Sequence, residues 1–146
     1  MEKSKKKSKS ASLWRIKFDQ SLVWRRWVEV YQKGYQIVDY LHGRNIKKVA
    51  IYGMADIGIA LFKELNNTDI EILYTLDKSK VKCECDIEIK KLEEVDEQVD
   101  AIIVTAISFF SEIYDDLNEK LQGKIVIVGI DEILASLLVE GETLKK

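Results

Sequence analysis

Apolar residues follow two rhythms along this chain. Between Ser21 and His42, the residues Trp24, Trp27, Val28, Tyr31, Tyr35, Val38 and Leu41 recur every three or four positions. That is the period of one face of a helix. Arg25, Arg26, Glu29, Gln32, Lys33, Gln36 and Asp39 fall on the opposite face. The pattern predicts an amphipathic helix over 21–43, capped by Ser21 and ended by Gly43. Gly34 inside it would cost about 1 kcal/mol relative to alanine. The aromatic-rich stripe is expected to pack on the flank of a sheet, or to meet a second copy or a partner. Trp14 and Phe18, with Arg15 and Lys17, would extend that contact or touch a membrane interface. From residue 48 the rhythm changes to short apolar runs separated by helical patterns. Strands are expected at 48–52, 70–76, 87–89, 101–105 and 125–128. Helices are expected at 57–66, 109–121 and 131–139, the last capped by Asp131 and ended by Gly141, with a helical turn at 91–97.

The runs 49–52, 101–104 and 125–128 are nearly continuous rather than alternating. Such strands are buried on both faces, as in a parallel sheet covered by helices. Strand–helix alternation then predicts an α/β fold: an open parallel sheet of about five strands, order 3-2-1-4-5, flanked by helices and preceded by an amphipathic helix. The segment 47–77, KKVAIYGMADIGIALFKELNNTDIEILYTLD, reads strand, tight glycine turn, helix, strand, acid. This is the first half of a Rossmann-type unit, in which phosphate sits on a helix N-terminus and an acid reads a ribose.

In such a sheet the ligand crevice lies outside the carboxyl ends of the first and fourth strands. Two loops are expected to meet there, Gly53-Met54-Ala55-Asp56-Ile57-Gly58 and Thr105-Ala106-Ile107-Ser108-Phe109. Asp77 ends the second strand and suits a grip on two ribose hydroxyls. Thr105 and Ser108 can bond a ligand, and Ser108 can instead cap the next helix. The candidate binding set is therefore Gly53, Met54, Ala55, Asp56, Ile57, Gly58, Asp77, Thr105, Ala106 and Ser108. The turn departs from G-x-G-x-x-G at Ala55, whose methyl group pushes a pyrophosphate outward. Asp56 suits the helix dipole and opposes a phosphate at the same amides. Gly53 and Gly58 are equally explained by the tight turn and by close helix–strand packing.

At 146 residues the chain suits one domain. Charge is nearly balanced in total and uneven in distribution. Residues 1–48 hold 13 Lys/Arg and 4 Asp/Glu, whereas residues 49–146 hold 10 and 21. Much of the basic excess lies in MEKSKKKSKS, too polar to fold alone. Residues 1–20 are accordingly expected to be a disordered basic tail, and 21–146 a Rossmann-like domain that includes the helix 21–43. The lysine-rich tail would give weak contact with an anionic membrane, and no specific nucleic acid is expected. No apolar run spans a bilayer and no secretory signal is evident, so the expected place is the cytoplasm, with a membrane-peripheral position as the alternative.

No catalytic constellation is evident. His42 is the single histidine, expected at a helix C-terminus, where an imidazolium is favoured. Cys83 and Cys85 share a strand face, are too close to bridge easily, and lack the further ligands a zinc site needs. Asp115, Asp116 and Glu119 fall on the solvent face of a predicted helix. No metal site and no catalytic residue is assigned.

Four runs carry a resemblance: YQKGYQIVDYLHGRNIKKVAIYGMADIGIALFKEL, IEILYTLD, VDAIIVTAISFFSEIYDDL and KIVIVGIDEIL. From Trp24 to Leu138 the chain resembles the small Rossmann-like domains of bacterial surface-polysaccharide and nucleotide-sugar clusters, found alone or beside glycosyltransferases. It also looks like the nucleotide-sugar-binding domain of sugar acyltransferases, without their hexapeptide repeat. The resemblance implies a role in glycan assembly, a ligand of the NAD(P) or nucleotide-sugar kind, and a glycosyltransferase as partner of the Trp24/Trp27 helix. Three functions follow in order: a non-catalytic nucleotide-binding domain, an interaction or membrane-surface module with a vestigial pocket, and a subunit of an NAD(P)-dependent sugar-modifying enzyme.

Overall fold

The structure, a computed structural model, describes residues 2–77, 87–95 and 98–144, with side chains over 13–77, 87–95 and 98–140. The expected polar connection at 78–86, with Cys83 and Cys85, lies outside the described residues, as does the end of the turn expected at 91–97. The described residues form five α-helices: α1 (Glu2–Gln32), α2 (Ile37–Gly43), α3 (Asp56–Asn66), α4 (Phe110–Leu121) and α5 (Ile130–Leu144). The strands are β1 (Lys48–Tyr52), β2 (Glu71–Leu76), β3 (Ile89–Lys90), β4 (Ala101–Val104) and β5 (Val126–Gly129). All neighbouring strands pair in parallel, in the order β3-β2-β1-β4-β5. The fold is therefore an α/β domain of Rossmann-like topology.

Alternate residues of the central strands enter different cores. Val49 and Ile51 of β1 and Ala101 and Ile103 of β4 join α1, α2, α3 and α5 on one face. Ala50, Tyr52, Ile102 and Val104 join Ile113, Leu117 and Leu121 of α4 on the other. This explains the unbroken apolar runs of β1 and β4, since both faces of each are covered. The third run, expected to be covered in the same way, is the edge strand β5, where Val126 is exposed. Asp100 lies just before β4, and its Oδ2 accepts the N–H groups of Lys47 and Lys48 at 3.0 Å each, joining the entries to β4 and β1.

The amphipathic helix expected over 21–43 is two helices, and the first begins at Glu2. Gly34 ends α1 rather than sitting inside it. Its φ is +83°, and the Gly34 and Tyr35 amides donate to Tyr31 and Val30, the reverse turn of a Schellman close. The break resets the helical phase, so the expected stripe does not continue across it. Trp27, Val38 and Leu41 are buried, whereas Trp24, Val28 and Tyr31 are exposed. The buried face of α1 runs instead through Val23, Trp27 and Val30. Glu64 of α3 holds both sides of the break. Its Oε1 accepts Trp27 Nε1–H at 3.0 Å, and its Oε2 accepts the Ile37 amide at 3.2 Å. At the other end of the chain, α5 starts directly from β5 and runs past Gly141, the expected stop.

Candidate functional site

The carboxyl ends of β1 and β4 are built around two residues that lock together. β1 passes from Tyr52 into Gly53, whose φ of +102° is a conformation that favours glycine. The Gly53 amide donates to Leu76 O at 2.8 Å, and its carbonyl accepts the Thr105 hydroxyl at 2.6 Å. A Cβ on Gly53 would strike the Thr105 Oγ1. A Cβ on Gly58, one turn into the helix, would run into the Gly53 carbonyl. The two glycines thus let α3 and the end of β4 close tightly over the turn.

Met54 follows Gly53 and is buried. Its amide donates to Asp77 Oδ2 at 2.8 Å. Asp77 therefore ties the end of β2 to the turn after β1. Ala55 is the N-cap of α3 and makes no side-chain cap bond. Asp56, in the first turn, is exposed. Carboxylates also surround the phenol of Tyr52. Burial raises its pKa above the ordinary value, and the charges of Asp116, Asp77 and Glu93 push in the same direction.

Between these parts lies a cavity of about 460 Å³. Nine of the ten candidate residues border it: Gly53, Met54, Ala55, Ile57, Gly58, Asp77, Thr105, Ala106 and Ser108. Asp56 does not, because the start of α3 turns it to solvent. Tyr52, Ile107, Phe109 and Ile113 complete the sheet side. The crevice is open rather than filled, with Met54 and Phe109 in its wall. Among the described residues, no lysine or arginine lines it.

Ile16 and Gln20 of α1 form a further wall, a contribution that the expectation of a tail at 1–20 does not include. The signal was present in the sequence. Ile16, Gln20, Val23, Trp27 and Val30 follow a four-three spacing, the seam of a helix packed along one side. Ser108 is part of the same arrangement. It does not cap α4, whose N-cap is Phe109. Its hydroxyl donates to Asp19 Oδ2 of α1 at 2.7 Å, so the loop after β4 holds α1 over the crevice.

His42 lies outside the crevice lining, in the last turn of α2, with Nε2 at 2.6 Å from Asp69 Oδ1. That partner holds the Asp69 carboxyl below its usual range. Among the described residues, no group of three or more His, Cys, Asp or Glu side chains is placed to hold a metal ion, and no helix is long and apolar enough to cross a membrane. Comparison with protein-family models, with curated proteins and with solved structures finds no match.

Proposed function

We propose that this chain is a non-catalytic Rossmann-like domain that binds a nucleotide or nucleotide sugar in the crevice between β1 and β4, in the service of bacterial glycan assembly. The single observation that carries the reading is the open 460 Å³ cavity at the switch point of the sheet, with Asp77 and Thr105 on its wall. Open α/β sheets bind ligands at that point. The apolar lining suits a base, and the hydroxyl-bearing and carboxylate side chains suit a sugar. The biosynthetic setting comes from the resemblance of the four sequence runs.

Charge favours a ligand whose phosphates stay at the mouth. Among the described residues the lining has no Lys or Arg, Asp77 is within it, and Asp56 stands in the first turn of α3. A dinucleotide needs its pyrophosphate close against the turn amides. Here the Ala55 methyl takes part of that space, and the Met54 amide is already bonded to Asp77. A nucleoside-diphosphate sugar carries a pyrophosphate too, so what the turn disfavours is phosphate seated on its amides, and a ligand of the nucleotide or nucleotide-sugar kind would keep its phosphates at the mouth.

Thermal unfolding against NAD, NADP, UDP, UDP-sugars and cytidine nucleotides tests the reading. A ligand at about 100 times its Kd adds about 2.7 kcal/mol, a rise in midpoint of several degrees at this size. A rise with one nucleotide or nucleotide-sugar class, absent in Asp77→Ala, is the expected result. A flat response across a saturating panel would overturn it.

A further inference from the structure

We propose that the outer face of α1 docks in the plane of an anionic lipid bilayer surface. The helix carries two apolar faces, and the fold uses only one. Val23, Trp27 and Val30 point into the core. About a third of a turn round the helix, Trp14, Phe18, Trp24, Val28 and Tyr31 are all exposed, with Trp14 at 70 % and Tyr31 at 67 %. Trp14 and Phe18 stack at 5.4 Å, so their rings present one continuous surface. From Trp14 to Tyr31 the strip is about 25 Å long at helical rise. Tryptophan, tyrosine and phenylalanine on one side of a basic helix match the boundary between headgroups and acyl chains.

Charge identifies the occupant. Residues 2–33 contain ten Lys/Arg and three Asp/Glu, while residues 49–146 are strongly acidic. Of the three acids in the first segment, Asp19 accepts the Ser108 hydroxyl and Glu29 lies 3.8 Å from Arg25. An anionic surface attracts α1 and repels the rest of the domain, which fixes the orientation as well as the contact. A second copy docked helix against helix would bring two strongly basic segments together, a repulsive arrangement. Because α1 is not apolar enough to span, it would lie flat. Ile16 and Gln20 on its inner side line the crevice, so docking would place the crevice one helix diameter, about 10 Å, from the lipid headgroups.

The test is co-sedimentation of the full chain with vesicles of phosphatidylcholine alone and of phosphatidylcholine with an equal share of phosphatidylglycerol, at low and high salt. Binding to the anionic vesicles only, lost in high salt and accompanied by a blue shift of tryptophan emission, is expected. Trp14→Glu with Phe18→Glu should weaken it at least about tenfold, since it removes two buried rings and adds two like charges. Lys17→Gln and Arg25→Gln, which leave the aromatic strip intact, should each weaken it about fivefold. Unchanged thermal midpoints show that these variants fold. No sedimentation, equal sedimentation with neutral vesicles, or a dimer in analytical ultracentrifugation that Trp14→Glu abolishes would each overturn the proposal. None of these outcomes depends on whether a nucleotide occupies the crevice.

Discussion

The Asp77 carboxylate accepts the Met54 amide N–H at 2.8 Å, across the gap between the second and first strands. The residue that sequence spacing points to as a ribose acid is thus also a structural tie for the turn that borders the crevice. Its two tasks can be separated by substitution. Asp77→Asn keeps an acceptor for Met54 and should cost well under about 1 kcal/mol, whereas Asp77→Ala strands a partly buried amide and should cost about 1–3 kcal/mol. Urea unfolding of the two variants checks this. Equal losses would show that the bond to Met54 contributes little.

Gly58 should reject any side chain. In an ordinary helix Gly→Ala stabilises by about 1 kcal/mol, but here the added methyl meets the Gly53 carbonyl, which is itself held by Thr105. Overpacking of this kind costs about 1–3 kcal/mol, and a backbone obstacle puts the cost at the upper end. Gly58→Ala should therefore lower the thermal midpoint by roughly 6–12 °C. Gly43→Ala is the control, because nothing lies within 4 Å of the added carbon.

Glu64 should matter more than its place on α3 suggests. One carboxylate serves Trp27 of α1 and the first amide of α2. Glu64→Ala removes both acceptors and should cost about 2 kcal/mol. Glu64→Gln, which keeps one acceptor oxygen, should cost less. A double-mutant cycle with Trp27→Phe should return a coupling of about 1 kcal/mol. A coupling near zero would mean that the indole bond does not hold α1 in place.

Asp100 should contribute to stability in a pH-dependent way. The N–H groups of Lys47 and Lys48 hold its carboxyl below the usual range, the Lys47 bond first. A carboxyl depressed in the folded state stabilises above its unfolded value of about 3.9, and that contribution disappears as pH falls through the folded value. The advantage of wild type over Asp100→Asn should be full near neutral pH and fade below about pH 4. Because the side chain is exposed, solvent screening holds it to under about 1 kcal/mol. Urea midpoints of both proteins from about pH 7 to about pH 3 measure the difference.

The sheet was legible in the sequence because burial on both faces leaves a local record. Val49–Tyr52 and Ala101–Val104 need no distant information to be read as interior strands, whereas the equally apolar run at Val126–Val128 is the edge strand β5 and leaves Val126 exposed. The two loops of the crevice were legible for a related reason, since a strand running into Gly53 and an acid ending the next strand are short-range signals. What α1 does was not legible. The stripe through Trp24, Val28 and Tyr31 has the same spacing as the seam through Val23, Trp27 and Val30, and hydrophobic period alone cannot say which of two adjacent faces meets the core. Tertiary structure decided it through contacts far apart in the chain, Trp27 with Glu64 and Asp19 with Ser108. The sequence by itself determined the layers, which follow from local patterns of burial, and made the strand order legible, because strand–helix alternation with right-handed crossovers leaves few orders. Only the three-dimensional packing decided that α1 walls the crevice and leaves a second aromatic face to solvent, because that choice depends on bonds spanning 37 and 89 positions.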